Sequence, residues 1–207
     1  MKINASEIRV GMLLEYKKAF ALDYDISHYD AKDMLIHDLL AEQANDSNSS
    51  MFREDITNIM SGRQASKGKH GYDHDTLNIE IKPKNFTGKS KLNAGGQFTD
   101  FTWARDAKYS KDNVTMSVSG FNHGKLVFIL EFDYNHPTFR ARIQEQLKRL
   151  LPNGDEKNRY VRSASFTFNH FKDAPIDVKY ISPDISKHQH CIVGPLYNYL
   201  KEYVVNE

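Results

Sequence analysis

One segment of the chain places two acidic residues and a lysine where their side chains could bind a divalent metal ion. Asp73 lies seven residues before Glu80, and Lys82 follows two residues after it. From Leu77 to Lys82 apolar and polar residues alternate, so in an extended strand Glu80 and Lys82 share the polar face. A tight bend would bring Asp73, or alternatively Asp75, beside Glu80. Because paired carboxylates suit a hard cation, the segment predicts a Mg²⁺ site.

An acid followed two residues later by a lysine is a common pattern in this chain. It occurs six times, with the acid at positions 15, 30, 80, 106, 155 and 177. The chemistry needs a strand that projects both side chains together and a second acid upstream. Only residues 80–82 and 177–179 meet these conditions. Pro175 predicts that the second segment is an edge strand near the end of the sequence, so we favour residues 80–82.

Basic residues concentrate around this acidic segment. Residues 1–60 carry 6 Lys and Arg against 11 Asp and Glu, a net charge of −5, whereas residues 61–207 carry 22 against 16, a net charge of +6. A basic surface around a small acidic centre is typical of sites that hold and cut a phosphodiester backbone, although a solvated charged loop has the same composition.

The lysines of this region and His70 could bind phosphates, and the side-chain amides of Asn93 and Gln97 could hydrogen-bond to the edges of adenine bases. The predicted DNA-binding residues are Lys67, Lys69, His70, Lys84, Lys89, Lys91, Asn93 and Gln97.

The composition indicates a globular protein. The chain has 207 residues, of which 40% are hydrophobic and 12% aromatic, enough for a sizeable core. The single cysteine, Cys191, excludes an intramolecular disulfide framework and fits a reducing compartment. Apolar runs fall short of the roughly 18 residues that a membrane helix needs, and the N-terminus lacks a signal-peptide core. We therefore expect a cytoplasmic protein that does not bind membranes.

We expect a single domain over residues 1–207. Its parts are a helical segment at 1–62, a catalytic sheet core at 63–135, and a final segment of helix, strands and C-terminal helix at 136–207. In the first part, helical spacing of apolar residues predicts helices near 8–20, 31–43 and 51–60. Ser50 could cap the third helix, with Glu54 in its first turn.

Strand signals dominate after Gly62. The Leu77–Lys82 strand should end at Pro83, and Phe98 to Tyr109 fits either helix or strand. Two β-rich runs around Asn122-His-Gly124 predict a hairpin whose second strand is buried on both faces. Further elements are predicted as a helix at 138–151, strands at 161–168 and 176–181, and a helix at 196–205.

Six residues separate Asp73 from Glu80, and one residue separates Glu80 from Lys82. This spacing resembles the motif of the PD-(D/E)XK nuclease superfamily, which includes type II restriction endonucleases and MutH-like nicking enzymes. The resemblance covers about twenty residues, which include Gly71-Tyr-Asp73 and the run from Ile79 to Asn85. Tyr72, instead of the proline found in part of the family, precedes Asp73. The resemblance implies a restriction-endonuclease-like α/β (α+β) fold, in which helices flank a mixed central β-sheet.

The resemblance also implies roles for individual residues. Asp73 and Glu80 would bind Mg²⁺, or Mn²⁺ in its place, together with a backbone carbonyl near Ile81. Lys82 would orient the attacking water or help to deprotonate it. Glu15 lies in the first predicted helix, where some members of the family carry an accessory acid. The products would carry a 5′-phosphate and a 3′-hydroxyl.

These observations lead to one main hypothesis and two alternatives. The main hypothesis is a Mg²⁺-dependent type II restriction endonuclease that cuts double-stranded DNA as a homodimer, since two-fold symmetry lets each subunit cut one strand of a palindrome. One alternative is a nicking or structure-specific nuclease of repair or phage origin. The other is a non-catalytic nucleic-acid-binding protein, in which the acids are structural.

Overall fold

The structure is a computed structural model that describes residues 44–46, 50–63, 73, 77–156, 159–161 and 164–206. The helices predicted near 8–20 and 31–43 lie outside these residues. The described α-helices are α1 (Ser50–Met60), α2 (Trp103–Lys111), α3 (Pro137–Leu150) and α4 (Gly194–Asn206). The strands are β1 (Ile79–Phe86), β2 (Gly96–Phe98), β3 (Thr115–Asn122), β4 (Lys125–Asp133), β5 (Ala164–Phe166) and β6 (Asp177–Ile181).

A four-stranded mixed sheet organises the fold. Its strand order is β1-β3-β4-β6, with β1 parallel to β3 and the other neighbours antiparallel. A second, two-stranded sheet pairs β2 with β5. The protein is therefore a mixed α/β protein whose central sheet is flanked by helices, as predicted at this coarser level. None of the helices in the described part of the chain is long and apolar enough to cross a membrane.

Among the described strands, β1 lies at one edge of the sheet, and it continues past its proline. It runs Ile79–Phe86, so the prediction that it begins at Leu77 and ends at Pro83 is wrong. The N–H of Ile81 points away from β3, and the nitrogen of Pro83, two residues later, lies on the same outer side. Since the bonds to β3 do not use that side, proline interrupts nothing there.

The predicted hairpin is confirmed by the pairing of β3 with β4. A two-residue turn at His123 and Gly124 joins the strands, and both residues have positive φ, at 47° and 79°. A turn with two positive φ angles fits the twist of the flanking strands, and glycine adopts a positive φ without steric cost. Strand β4 lies between β3 and β6 and is buried from Leu126 to Phe132, so the prediction of a central strand is also confirmed.

The segment from Phe98 to Tyr109, left open between helix and strand, divides between β2 and α2. The Thr102 hydroxyl accepts a hydrogen bond from the Arg105 N–H at 3.2 Å and caps the helix. The Asp155 carboxylate accepts the N–H groups of Trp103 and Ala104, each at 2.7 Å. The N-terminus of α2 is thus fixed by two acceptors.

The C-terminal predictions are confirmed except for one strand. Helices α3 and α4 and strand β6 agree with the predicted segments to within two residues at each end. The strand predicted at 161–168 is shorter: Val161 forms an isolated bridge with Phe101, β5 covers three residues, and a 3₁₀ turn begins at Phe168.

The central sheet is covered on both faces. On one face, α1 contributes Ile56 and Ile59 to a small core with Phe121 and Ile129. The other face carries a larger core to which α2, α3, α4, β2 and β5 contribute. Full burial of one such aromatic or aliphatic side chain stabilises the fold by ~1.5–3 kcal/mol. Strand β1 therefore lies between two packed layers of side chains.

We predict that Gly120→Ala destabilises the protein by about 1–3 kcal/mol, because an added methyl group overpacks the core. A Cβ at Gly120 would lie 2.3 Å from the ring of Phe128 on β4. Urea unfolding of this variant should be compared with that of Gly194→Ala, where a Cβ would meet nothing within 4 Å. Equal stability of the two variants would contradict the prediction.

Candidate functional site

The side of β1 that faces away from β3 holds Asp73 beside Glu80. The Asp73 N–H donates to the Ile79 carbonyl at 3.0 Å, and Asp73 Oδ2 accepts the Ile81 N–H at 2.7 Å. These two bonds clamp Asp73 to the residues on either side of Glu80. The carbonyl of Ile81 points to the same outer side as its N–H, because both groups of one strand residue share a direction. The edge therefore presents a carboxylate and a backbone carbonyl together.

Glu80 and Lys82 share one face of β1, as predicted from the alternation. The Lys82 ammonium contacts Glu80 Oε1, and their side chains are 20% and 10% exposed. The same ammonium lies 5.2 Å from the centre of the Phe98 ring on β2. Gly96 allows this approach, since a Cβ there would lie 2.7 Å from Lys82 Cβ. Lys82 is thus held between Glu80 and β2.

Glu54 of α1 belongs to the same electrostatic cluster. Burial, and then the negative charge of Asp73, raise the pKa of Glu54 to about 7, and Glu80 adds to the effect while Lys82 opposes it. Burial and the charge of Glu80 raise the pKa of Asp73 to about 6, against the hydrogen bond from Ile81 and the charge of Lys82. Three carboxylates around one lysine leave an excess of negative charge.

Glu54 was missed as a site residue in the sequence. Since α1 begins at Ser50, Glu54 lies beyond its first turn, which contains no acidic residue, so the predicted position was wrong. The available signal was the spacing of Glu54 and Asn58, which share a helix face one turn apart. Asn58 Nδ2 donates to the Asp73 carbonyl at 3.1 Å.

Helix α1 is tied to the sheet so that this face meets the edge of β1. The Thr57 and Ser119 hydroxyls hydrogen-bond at 2.7 Å, and both residues are buried. Arg63, just after the helix, donates through Nε to Asn58 Oδ1 at 3.0 Å and pairs through Nη1 with Glu131 of β4 at 2.7 Å. Asp73 is therefore held by β1 from one side and by α1 from the other.

Helix α2 approaches Glu80 from the opposite face of the sheet. The Tyr109 hydroxyl donates to Glu80 Oε2 at 2.8 Å, and Tyr109 is buried. Burial, followed by the charge of Glu80 and this hydrogen bond, raises the pKa of Tyr109 above its ordinary value. Sequence analysis did not assign Tyr109 to the site, because nothing in the local pattern around it differs from an ordinary helix.

A buried aspartate anchors α2. Asp106 accepts hydrogen bonds from Tyr134, Arg140 and Gln144, at 2.8 to 3.2 Å. Burial alone would raise the pKa of Asp106, but these bonds and the charge of Arg140 hold it below its ordinary value. Asp106 also belongs to one of the six acid-x-lysine pairs, and its contacts assign it a role in packing α2 against α3.

The predicted DNA-binding residues are divided by the structure. Lys84 follows Lys82 on the same face of β1 and donates to Asn93 Oδ1 at 3.2 Å, while burial lowers the Lys84 pKa. Asn93 Oδ1 also accepts the Gly95 N–H, so this oxygen is engaged within the protein. Gln97 is exposed on β2, on the side opposite to Gly96 and Phe98. Their contacts to DNA stay predictions.

Two lysines of the predicted set lie on the loop after β1. Lys89 is exposed, and Lys91 lines a cavity of about 580 Å³ between this loop and α4, together with Lys187 and His190. The remaining predicted residues lie outside the described residues: Glu15, Lys67, Lys69, His70 and Asp75. The alternative of Asp75 for Asp73 is therefore undecided.

The rival pair, Asp177 and Lys179, lies on β6 at the other edge of the sheet, as its proline suggested. Lys179 Nζ contacts Asp177 Oδ2 at 2.5 Å, and the Asp177 side chain is 63% exposed. Glu131, the buried acid nearby, pairs with Arg63. The acid of this pair is thus solvated, whereas Glu80 is buried among other carboxylates.

Among the described residues, no group of three or more His, Cys, Asp and Glu side chains has the spacing to hold a metal ion. The ammonium of Lys82 contacts Glu80 Oε1. A lysine therefore supplies the positive charge at the cluster in this arrangement.

We predict that Asp73 and Glu54 contribute a loss of stability as the pH rises through the range of about 4.5 to 7. The folded-state pKa values of Asp73 and Glu54 lie above their ordinary 3.8 and 4.5, so the folded state binds more protons in this range. Their stabilising effect is complete below the ordinary pKa values and is lost as the pH passes about 6 to 7.

Glu54→Gln should flatten this pH dependence of the unfolding free energy, measured by urea unfolding without divalent cations. Glu145→Gln is the matched control, because the Glu145 side chain on α3 is 72% exposed. An unchanged slope in Glu54→Gln would show that Glu54 does not belong to the buried cluster.

Comparison of the sequence with models of known protein families gave no match, and comparison with curated proteins gave no significant match.

Proposed function

We propose that this protein is a Mg²⁺-dependent endonuclease that hydrolyses phosphodiester bonds of double-stranded DNA, as a type II restriction enzyme does. The observation that carries the proposal is the clamping of Asp73 beside Glu80, with Lys82 on the same face of β1. This is the combination of acids and lysine on which the resemblance to the PD-(D/E)XK nucleases depends. The mixed sheet with helices on both faces is compatible with a restriction-endonuclease-like fold.

The residues present fit Mg²⁺ in their chemistry. The cluster offers only oxygen donors, from Glu54, Asp73, Glu80 and the Ile81 carbonyl, and hard divalent cations prefer such donors. The raised pKa values of Glu54 and Asp73 reflect burial and then repulsion from neighbouring carboxylates, and a cation at the cluster would offset this repulsion. When bound, the metal would lower the pKa of a water and neutralise charge on the scissile phosphate.

Lys82 is the residue placed to act on the nucleophile. Its ammonium is a cation that occupies Glu80 Oε1, so another cation at the carboxylates would displace it by repulsion. The released Nζ remains on the same face of β1 and would hold the attacking water beside the phosphate. The contact with the Phe98 ring limits how far the side chain can swing.

Lys84 is the residue best placed to bind the DNA backbone next to the reacting phosphate. It lies two residues beyond Lys82 on the same face, and it donates to the neutral amide of Asn93 instead of to a carboxylate among the described residues. Its charge is thus available for phosphate. Lys89, Lys91 and Gln97 extend this surface along the loop after β1. We propose that a homodimer cuts both strands of a short palindromic site.

We predict that Glu80→Gln lowers the rate of DNA cleavage in Mg²⁺ by at least about 100-fold, the upper end of the loss seen for groups supporting a metal. DNA binding in a gel-shift assay should be largely kept, because the phosphate-binding lysines remain. Cleavage of long duplex DNAs should give discrete fragments with the unaltered protein.

The control for this experiment is Asp177→Asn in the rival acid-x-lysine pair on β6, which should cleave normally. Loss of cleavage in Asp177→Asn with normal cleavage in Glu80→Gln would place the site at β6. If the unaltered protein leaves DNA intact in both Mg²⁺ and Mn²⁺ but still binds it, the nuclease proposal fails and the binding-protein alternative is favoured.

A further inference from the structure

The two oxygens of Glu80 have partners of very different kinds. Oε1 contacts the ammonium of Lys82, whereas Oε2 accepts the Tyr109 hydroxyl at 2.8 Å. Lys82 is a cation on a flexible side chain that is 20% exposed. A second cation can replace it at Oε1. Binding of a cation through both oxygens of Glu80 would require that Oε2 also lose its present partner, Tyr109.

Tyr109 is fixed in place by the aromatic residues around it. It is 3% exposed, and its ring packs against Phe98, Phe101 and Tyr134 with ring centres 5.4 to 5.9 Å apart. Edge-to-face contacts of this kind restrict ring orientation. The hydroxyl cannot leave Glu80 without disturbing this core.

The helix that carries Tyr109 is fixed as well. Asp106, one turn earlier in α2, accepts hydrogen bonds from Arg140 and Gln144 of α3 and from Tyr134. Thr102 and Asp155 fix the N-terminus of the same helix. The hydroxyl of Tyr109 is therefore a stationary donor, and Oε2 stays engaged when Oε1 changes its partner.

We propose that Tyr109 is a positioning residue that restricts Glu80 to binding a metal ion through one oxygen and thereby favours Mg²⁺ over Ca²⁺. This inference rests on the proposed function. Mg²⁺ needs near-ideal octahedral geometry and is bound by few carboxylate oxygens, whereas the larger Ca²⁺ takes six to eight ligands and readily accepts both oxygens of one carboxylate. A Glu80 with both oxygens free would suit the larger ion better.

The test measures binding of MgCl₂ and of CaCl₂ to the full chain by titration calorimetry, without DNA. Tyr109→Phe removes only the hydroxyl that engages Oε2, and the ratio of Ca²⁺ affinity to Mg²⁺ affinity should rise by about tenfold or more, the scale of effect for a hydrogen bond to a metal ligand.

Tyr134→Phe is the matched control. It removes a buried hydroxyl from the same ring cluster, but that hydroxyl donates to Asp106 instead of Glu80. Because Arg140 and Gln144 still hold Asp106 in this variant, the control should be destabilised in thermal unfolding without a change in the ratio of the two affinities. A purely structural role of Tyr109 would give the same result as the control.

Infrared difference spectra of the unaltered protein give a measurement that needs no folded Tyr109 variant. Carboxylate stretching bands differ between one-oxygen and two-oxygen binding, and subtraction of the Glu80→Gln spectrum isolates Glu80. We expect a one-oxygen signal with Mg²⁺. A two-oxygen signal with Mg²⁺ would overturn the inference.

The outcomes separate this inference from the proposed function. If the unaltered protein binds neither cation, both are overturned. If it binds Mg²⁺ and the affinity ratio is the same in Tyr109→Phe, or changes equally in Tyr134→Phe, only the role of Tyr109 is overturned.

Discussion

The candidate site depends on two hydrogen bonds between Asp73 and the side of β1 that faces away from β3. The Asp73 N–H and Oδ2 bind the carbonyl of Ile79 and the N–H of Ile81, so a residue seven positions before Glu80 is fixed beside it. Because β1 is the terminal strand of the described sheet, its pairing with β3 leaves these backbone groups available to Asp73. Asn58 secures the carbonyl of Asp73 from α1. Without this clamp, Glu80 and Lys82 would form an ordinary ion pair within a strand.

The same edge explains why the strand tolerates Pro83 and why the acidic cluster remains partly accessible. A central strand would need an N–H at that position, and its carboxylates would be buried on both sides. At the edge, α1 covers one face of β1, and α2 with β2 covers the other. The carboxylates are desolvated enough to raise the pKa values of Glu54 and Asp73, although both residues keep intermediate exposure.

The two oxygens of Glu80 have one fixed partner and one exchangeable partner. The contact from Tyr109 belongs to an aromatic core that is anchored through Asp106, so it resists change. The contact from Lys82 belongs to a longer side chain near the surface, so it can be exchanged. A carboxylate with one fixed and one exchangeable partner is preorganised for a ligand, since little ordering remains to be done when the ligand binds.

Residue spacing by itself determined much of this protein. Alternation put Glu80 and Lys82 on one face, the Asn122-His-Gly124 turn specified the hairpin, and helical periodicity located α1, α3 and α4, because these features depend on local geometry. The boundaries of β1 and the location of Glu54 and Tyr109 were not predictable in this way. They depend on which strand lies at the edge and which helices cover each face. The local sequence pattern around these residues does not report such long-range packing. Only the tertiary structure decided which acid-x-lysine pair of the described residues lies among other carboxylates, because burial and the approach of distant charges, not sequence spacing, distinguish Glu80 from Asp177.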